Sequence, residues 1–553
     1  MSPMKKNDKI NDITIIGAGF GGMYALIRAL KRNLSVCVLE KGSGVGGTWY
    51  WNRYPGARCD VESMQYSYQF SKELEQEWDW TEKYATQPEI LKYANHVAER
   101  FNLTPYIKFN ENVISAHFDE EKKLWKITNQ TGKIYNSKFC IMATGCLSKT
   151  NTPPIDGASS YKGKTFHTGS WPKEEINFAN QTVGIIGTGS SAIQSIPVIA
   201  DQAKHLYVFQ RTPHYTVPAR NEPLKYGGIN ENDNKRPEGF DIDLTVEEIK
   251  ANYDYLRNKA KRMFSAMAFK LNKKSALEVS KQERNKEYEE RWKNGGVPFI
   301  GAFIDLNLNK EANKTAAEFV RNKIKNIVKD PLTAKRLTPN YTIGCKRLAV
   351  DTNYYETYNR DNVTLVDLKE NPIENIFEKG IKTEQKEYTF DNLIFATGFD
   401  AMTGALMDID IRGYNGIELR KKWENGPKSF LGLAINGFPN LFMITGPGSP
   451  SVFTNMITSI EQHVDWIFDC LEYLKTNDFI LIEASKKSEE KWVEHNQEVA
   501  EPHIRSSCSS WYMGSNIEGK PEIFLPYVGG FPEYVKKCQT ISLSGYEGFL
   551  LYK

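Results

Sequence analysis

From its first ordered-looking segment, the chain alternates short apolar runs with longer amphipathic ones. Ile13-Thr-Ile-Ile16 is apolar and rich in β-branched residues, which predicts a buried strand. The glycine-rich segment Gly17-Ala-Gly-Phe-Gly-Gly22 follows. A helical pattern then runs through Leu30, and residues 35–39 read as a second strand. Strand, turn, helix and strand in that order predict a βαβ unit with parallel strands. The same succession returns later. Residues 182–186 are the strand, Gly187-Thr-Gly-Ser-Ser-Ala192 the turn, a helix runs through Ile199, and 206–209 form the next strand. An internal repeat carries more weight than either copy, and this one implies two nucleotide sites.

Two further strands end alike, Phe139-Cys-Ile-Met-Ala-Thr-Gly145 and Leu393-Ile-Phe-Ala-Thr-Gly398. They are read as crossings where the chain leaves one nucleotide-binding unit and re-enters it. Residues 220–340 are rich in Lys, Glu and Asn, with long helical segments such as 245–269. This stretch is expected to be a helical insertion in the second unit, its charge runs being solvated helix faces. The expected fold is α/β, with two Rossmann-like dinucleotide-binding domains and a helical insertion in the second. The expected division is 1–145 and 395–553 for the first domain, 146–218 and 344–394 for the second, and 219–343 for the insertion.

Composition narrows the class. The chain has 553 residues, 40% hydrophobic and 25% charged, which is globular and too long for one ordinary core. A net charge of +3 gives no reason to propose a nucleic-acid partner. No apolar run reaches the length of a membrane span, and the N-terminal stretch reads as no signal peptide, so a cytoplasmic protein is expected, monomeric or weakly self-associating. The eight cysteines form no CxxC pair and the eight histidines no HExxH pattern. All eight cysteines are therefore read as reduced thiols, and no metal site is expected.

Each glycine turn sits between a predicted strand and a predicted helix, the context in which GxGxx(G/A) binds pyrophosphate. Gly17 permits the tight turn, Gly19 backbone approach to the phosphates, and Gly22 (Ala192 in the second copy) close helix–strand packing. The residue closing the second strand separates the ligands. In the first unit it is Glu40, 23 residues after Gly17. A carboxylate there accepts from ribose hydroxyls and repels a 2′-phosphate, which suits FAD. In the second unit the place holds Gln210 and Arg211, the latter 24 residues after Gly187. A guanidinium fork suits phosphate, which predicts NADPH.

Two longer stretches then identify a family. One is Gly46-Gly-Thr-Trp49 through Tyr54-Pro-Gly56 to Asp60. The other is Tyr161-Lys-Gly163-Lys-Thr-Phe-His167-Thr-Gly-Ser-Trp171-Pro172. Together they resemble the fingerprints of type I Baeyer-Villiger monooxygenases, with Tyr161 where the family usually has Phe. Gln210-Arg-Thr-Pro213, Gly344-Cys-Lys-Arg347, Ala396-Thr-Gly-Phe-Asp400 and Ser510-Trp-Tyr512 extend the resemblance over essentially the whole chain. It is weakest in 225–335.

The resemblance implies a monooxygenase that uses FAD, NADPH and dioxygen to turn ketones into esters or lactones through a C4a-peroxyflavin. It implies Arg347 as the catalytic arginine and Asp60 as its partner. Gly47, Thr48 and Trp49 are expected at the flavin together with Asp60. Thr188, Gly189, Ser190, Ser191, Arg211, Thr212 and Lys346 are expected at NADP, with Trp511 near the nicotinamide ribose. His167 and Trp171 are expected to couple domain motion to catalysis. The Gly446-Pro-Gly-Ser-Pro-Ser-Val-Phe453 loop is expected to border a roomy substrate cavity. Other readings are a flavin monooxygenase oxidising amine nitrogen or sulfide sulfur, a disulfide reductase of the same architecture, and a nucleotide-binding protein without turnover. Cys59 stands alone where the reductase needs a cysteine pair.

Overall fold

The computed structural model describes residues 9–228, 237, 239–240 and 244–553. The N-terminal stretch read above lies partly outside the described residues, as does part of the insertion. Two sheets organise the chain. The strand Ile10–Ile16 is buried on both faces over its last four residues, as a central parallel strand requires. It lies between Val36–Leu39 and Ile134–Met142, parallel to both. The strands Val113–Asp119 and Leu124–Asn129 extend this sheet through antiparallel pairs. The short strands Ile107–Lys108, Asp410–Arg412 and Leu441–Met443 complete it. The second sheet is parallel throughout, in the order Val363–Asp367, His205–Gln210, Thr182–Ile186, Asn392–Phe395, Lys164–His167.

The chain leaves the first sheet after Met142, joins the second at Lys164 and rejoins the first at Asp410. The two matching Ala-Thr-Gly segments lie at these passages and play the same part. Ala143 N donates to Ile16 O at 2.9 Å, and Ala396 N to Ile186 O at 2.9 Å. Each alanine carbonyl closes over the first glycine of its unit. Gly17 has φ +104° and Gly187 φ +115°, and a Cβ on either would strike that carbonyl. Only glycine meets both demands.

The helical insertion is present but does not pack as one body. Its early helices, Val246–Ala251 and Tyr253–Lys261, contribute Val246, Ile249 and Leu256 to the core of the first unit. The later ones, Lys281–Asn294 and Lys310–Ile327, contribute Trp292, Ala316 and Val320 to the second. The continuous helix expected over 245–269 is broken at Asn252 (φ −103°, ψ 9°) and stops at Lys261. Beyond it Ala266 adopts φ +51°, incompatible with a helix. Among the described residues no helix is long and apolar enough to cross a membrane.

Candidate active site

A single cleft of about 1260 Å³ runs between the two sheets and is lined by both glycine turns. The helices Phe20–Lys31 and Ser190–Gln202 open on it, capped by Gly19 and Gly189. Neither has a side-chain cap or an acidic residue in its first turn. Elsewhere in the chain such groups are present: Thr245, Ser280 and Asn309 cap their helices, each with Glu in the first turn. Two bare helix N-termini facing one cleft leave N–H groups and the positive dipole end for anions. The arrangement fits two pyrophosphates.

At the first turn Glu40 is buried. Its Oε2 accepts from Ala18 N at 2.7 Å and its Oε1 from Gly42 N at 2.6 Å. Burial raises its pKa against these two bonds. The carboxylate thus shapes the loop as well as facing the cleft, a part the motif alone did not reveal. At the second turn the corresponding Gln210 is fully buried and donates to Arg336 O at 2.8 Å. Arg211 is exposed at the rim. Lys346 lies near it, its pKa lowered by burial and then by the charges of Arg211 and Lys369. Crowded cations with this repulsion call for an anion between them.

Asp60 and Arg347, 287 residues apart, meet at the centre. Asp60 Oδ2 accepts from Arg347 Nη2 at 2.6 Å and from Nε at 3.0 Å. Arg347 Nη1 donates to Val452 O at 3.0 Å. The arginine pKa is raised, chiefly by the charge of Asp60, so the guanidinium is permanently cationic. Its side chain keeps 32% of its surface exposed, and it lines the cleft with Asp60, Val452 and Trp511.

Three neighbours were given no role from the sequence, although Tyr512 belongs to the Ser510-Trp-Tyr512 motif. His214 Nε2 lies 2.6 Å from Arg347 O, and burial pushes its pKa down to about 4. It is therefore neutral near pH 7 and donates to that carbonyl. Arg505 lies over the Phe453 ring at 4.2 Å, and its buried Nη1 has no partner among the described residues. Burial lowers its pKa to about 10, with Arg347 adding to the effect. Tyr512, buried, stacks edge-on to Phe453 at 4.7 Å. His214 follows the Gln210–Pro213 motif directly, a signal that was available. Nothing in the local pattern marks Arg505.

Of the residues expected at the cofactors or in catalysis, all but Gly22 line the cleft. Gly22 lies behind it, where a Cβ would overlap Gly17 O. His167 and Trp171 do not line it. His167 Nδ1 accepts from Gly169 N at 2.9 Å, and Nε2 contacts Asn151 O at 3.2 Å. Trp171 stacks on Phe166 with ring centroids 5.0 Å apart. Of the expected loop, Val452 reaches the cleft, while Phe453 packs behind it. One expectation is overturned: the cysteines are not all thiols. Cys345 and Cys508 form a disulfide. Their separation of 163 residues hid the pair from any spacing rule.

Comparison with known proteins agrees with this geometry. The family model described as pyridine nucleotide-disulphide oxidoreductase matches residues 14–226. Cyclohexanone 1,2-monooxygenase from an Acinetobacter species is 41% identical over 545 residues, covering 97% of this chain and 96% of that protein. A Baeyer-Villiger monooxygenase from Pseudooceanicola batsensis is 40% identical, with 98% and 96% covered. The solved structure of oxidised steroid monooxygenase bound to NADP is 46% identical. It superposes with a TM-score of 0.91 over 98% of this chain and 100% of that one. The chain belongs to the Baeyer-Villiger monooxygenase family of flavoproteins.

Proposed function

We propose that this protein is an FAD-dependent monooxygenase that uses NADPH and dioxygen to convert ketones to esters or lactones. The observation that carries the reading is the Asp60–Arg347 pair, fixed in the one cleft onto which both dinucleotide turns open. Glu40 and the turn at Gly17 would hold FAD. Arg211, Thr212, Lys346 and the turn at Gly187 would hold NADPH. When bound, the flavin supplies oxygen activation and the nicotinamide the reducing equivalents.

The protein's own part is electrostatic. A guanidinium has five N–H donors, and three of Arg347's are engaged. The other two N–H groups, on Nη1 and Nη2 and beside Tyr512, would meet negative charge that develops on the reacting oxygen and then on the ketone carbonyl. A lysine could deprotonate in a dry site, whereas arginine stays charged. Asp60 holds the fork in orientation, and His214 steadies the backbone of the same residue. Oxidation of an amine or sulfide needs no such fixed cation, and the pair therefore favours the ketone. Aromatic or bulky ketones are the expected class. The 46% identity to steroid monooxygenase supports it. The division into two dinucleotide domains and an insertion belongs to the same reading, supported by the alternation of the two sheets along the chain. So does a cytoplasmic, monomeric or weakly associating protein.

The test is Arg347→Ala in the flavin-loaded enzyme, with product identified on a panel of cyclic, aryl and steroid ketones. Loss of an electrostatic donor of this kind costs about 10²–10³ in rate. Ester formation near the wild-type rate would end the assignment of Arg347. A parent enzyme that forms no ester from any ketone would end the reading itself.

A further inference from the structure

The disulfide sits where the site is least tied by regular structure. Cys345 directly precedes Lys346 and Arg347, and is fully buried. Cys508 is partly exposed and lies three residues before Trp511. Their Cα atoms are 5.9 Å apart. The segment around Cys508 consists of two single turns of 3₁₀ helix, Ile504–Ser506 and Trp511–Met513. Its backbone reaches the rest of the fold at Ile504 N to Asn307 O, 3.0 Å, at Leu525 N to Tyr512 O, 2.8 Å, and at Ile523 N to Met513 O, 3.1 Å. A second tie lies beside the disulfide, where Lys346 Nζ donates to Ser509 O. Ser509, Ser510 and Trp511 line the cleft together with Lys346 and Arg347. One wall of the second dinucleotide site is thus a short strap bonded covalently to the loop that supplies its cations.

The other six cysteines are buried thiols. Burial pushes Cys37 and Cys146 up to about 11 and Cys538 to about 12, and raises Cys59, Cys140 and Cys470 as well. Protonated, enclosed thiols are inert. Thiol–disulfide chemistry is therefore confined to the pair in which one residue, Cys508, is partly exposed.

We infer that Cys345–Cys508 is a reducible positioning tether that holds the strap against the Lys346–Arg347 loop and so sets the grip on NADP. The inference rests on reading the second glycine turn as the NADP site. Reduction balances with a dithiol as the co-reactant. Its thiolate attacks Cys508 Sγ, Cys345 leaves and takes a proton, and the second thiol closes on the mixed disulfide to release Cys508. The S–S bond is broken, two electrons and two protons pass to the pair, and the dithiol becomes its own disulfide. Freed of the bond, the strap keeps the lysine tie, its backbone contacts and the packing of Ile504 and Tyr512, but no covalent link holds Ser509 and Trp511 to the Lys346–Arg347 loop. Lys346 then has to be ordered at the cost of binding energy.

The experiment measures NADP⁺ affinity of the flavin-loaded enzyme by calorimetry, with no ketone present. Air-oxidised wild type, wild type reduced by dithiothreitol, and Cys508→Ser are compared. Thiol titration after denaturation should find six thiols in the oxidised protein and eight after reduction. The dissociation constant should rise about five- to tenfold on reduction, the lower range of coupling between linked sites. C508S should show the raised value and ignore dithiothreitol, and in turnover KM for NADPH should rise far more than kcat falls. Eight thiols in the oxidised protein, or equal affinity in both redox states of the wild type, would overturn the tether while leaving the function intact. Absence of NADP⁺ binding by oxidised wild type would overturn the dinucleotide reading and the tether together. Should C508S fail to fold, the wild-type redox pair alone decides.

Discussion

The two glycine turns share one construction and differ in how they are covered. In each, the first glycine lies under an alanine carbonyl, Ala143 or Ala396, and the helix beyond is bare at its N-terminus. At the first turn, however, a Cβ on Gly19 would come within 3.3 Å of Gly47 Cα. The Gly46–Gly47 segment roofs it. At the second, a Cβ on Gly189 would meet no protein atom within 4 Å. The strand ends differ likewise: Glu40 is buried and bonded to its own loop, whereas Arg211 stands exposed at the rim. A roofed site with an internal carboxylate fits a cofactor retained through turnover. An open one with a peripheral cation fits a ligand that exchanges.

The sharpest way to break this contrast is a methyl group in each turn. Gly22→Ala places a Cβ on Gly17 O, so the first unit has to distort. The expected outcome is loss of retained flavin, read as the absorbance of the purified protein, with a melting temperature lowered by several degrees. Gly189→Ala should keep fold and flavin, because its added methyl meets only open space, and should weaken NADPH binding alone. Equal damage from both would show that the turns do not differ in cover.

Next in size is the rim. Arg211→Ala removes a charge-assisted bond worth roughly 1.5–3 kcal/mol. That is about 10–150-fold in KM for NADPH, with NADH little affected. A matching loss with NADH would place Arg211 away from the 2′-phosphate. The smallest effect is one of acidity at His214 in the second unit. Its folded pKa, about 4, lies below its ordinary value of 6.5. The unfolded chain therefore takes up the proton first, and stability falls as pH drops from 6.5 towards 4, levelling off below. His214→Asn lacks that term. Its melting temperature should lie below wild type at pH 7, and the gap should narrow by pH 5. A constant gap would remove the titration from the account.

Both βαβ units were legible because their signal is local. Apolar strand, glycine turn and helix fall within about thirty residues. The difference between Glu40 and Arg211 was legible for the same reason, since each closes the second strand of its own unit. The meeting of Asp60 with Arg347 was expected through a resemblance. The route by which the chain accomplishes it, out of the first sheet and into the second across 287 residues, is a property of the fold. The break at Asn252 and the turn at Ala266 escaped notice because burial and local hydrogen bonding outweighed a continuous helical pattern. The sharing of the insertion between two cores follows from which apolar faces find each other, and no periodicity records that.

By itself, then, the order of residues determined what is built from near neighbours: the strands, the glycine turns, the bare helix N-termini and the sign of charge at each strand end. Backbone sterics and side-chain period act over a few residues and can be read there. Tertiary structure alone decided the roofing of Gly19 by Gly47, the placing of Arg505 over Phe453, and the union of Cys345 with Cys508. Each depends on two distant segments being brought to within bonding or van der Waals distance by the packing of both sheets. That is a collective outcome of burying apolar surface, and it leaves no mark on either segment taken singly.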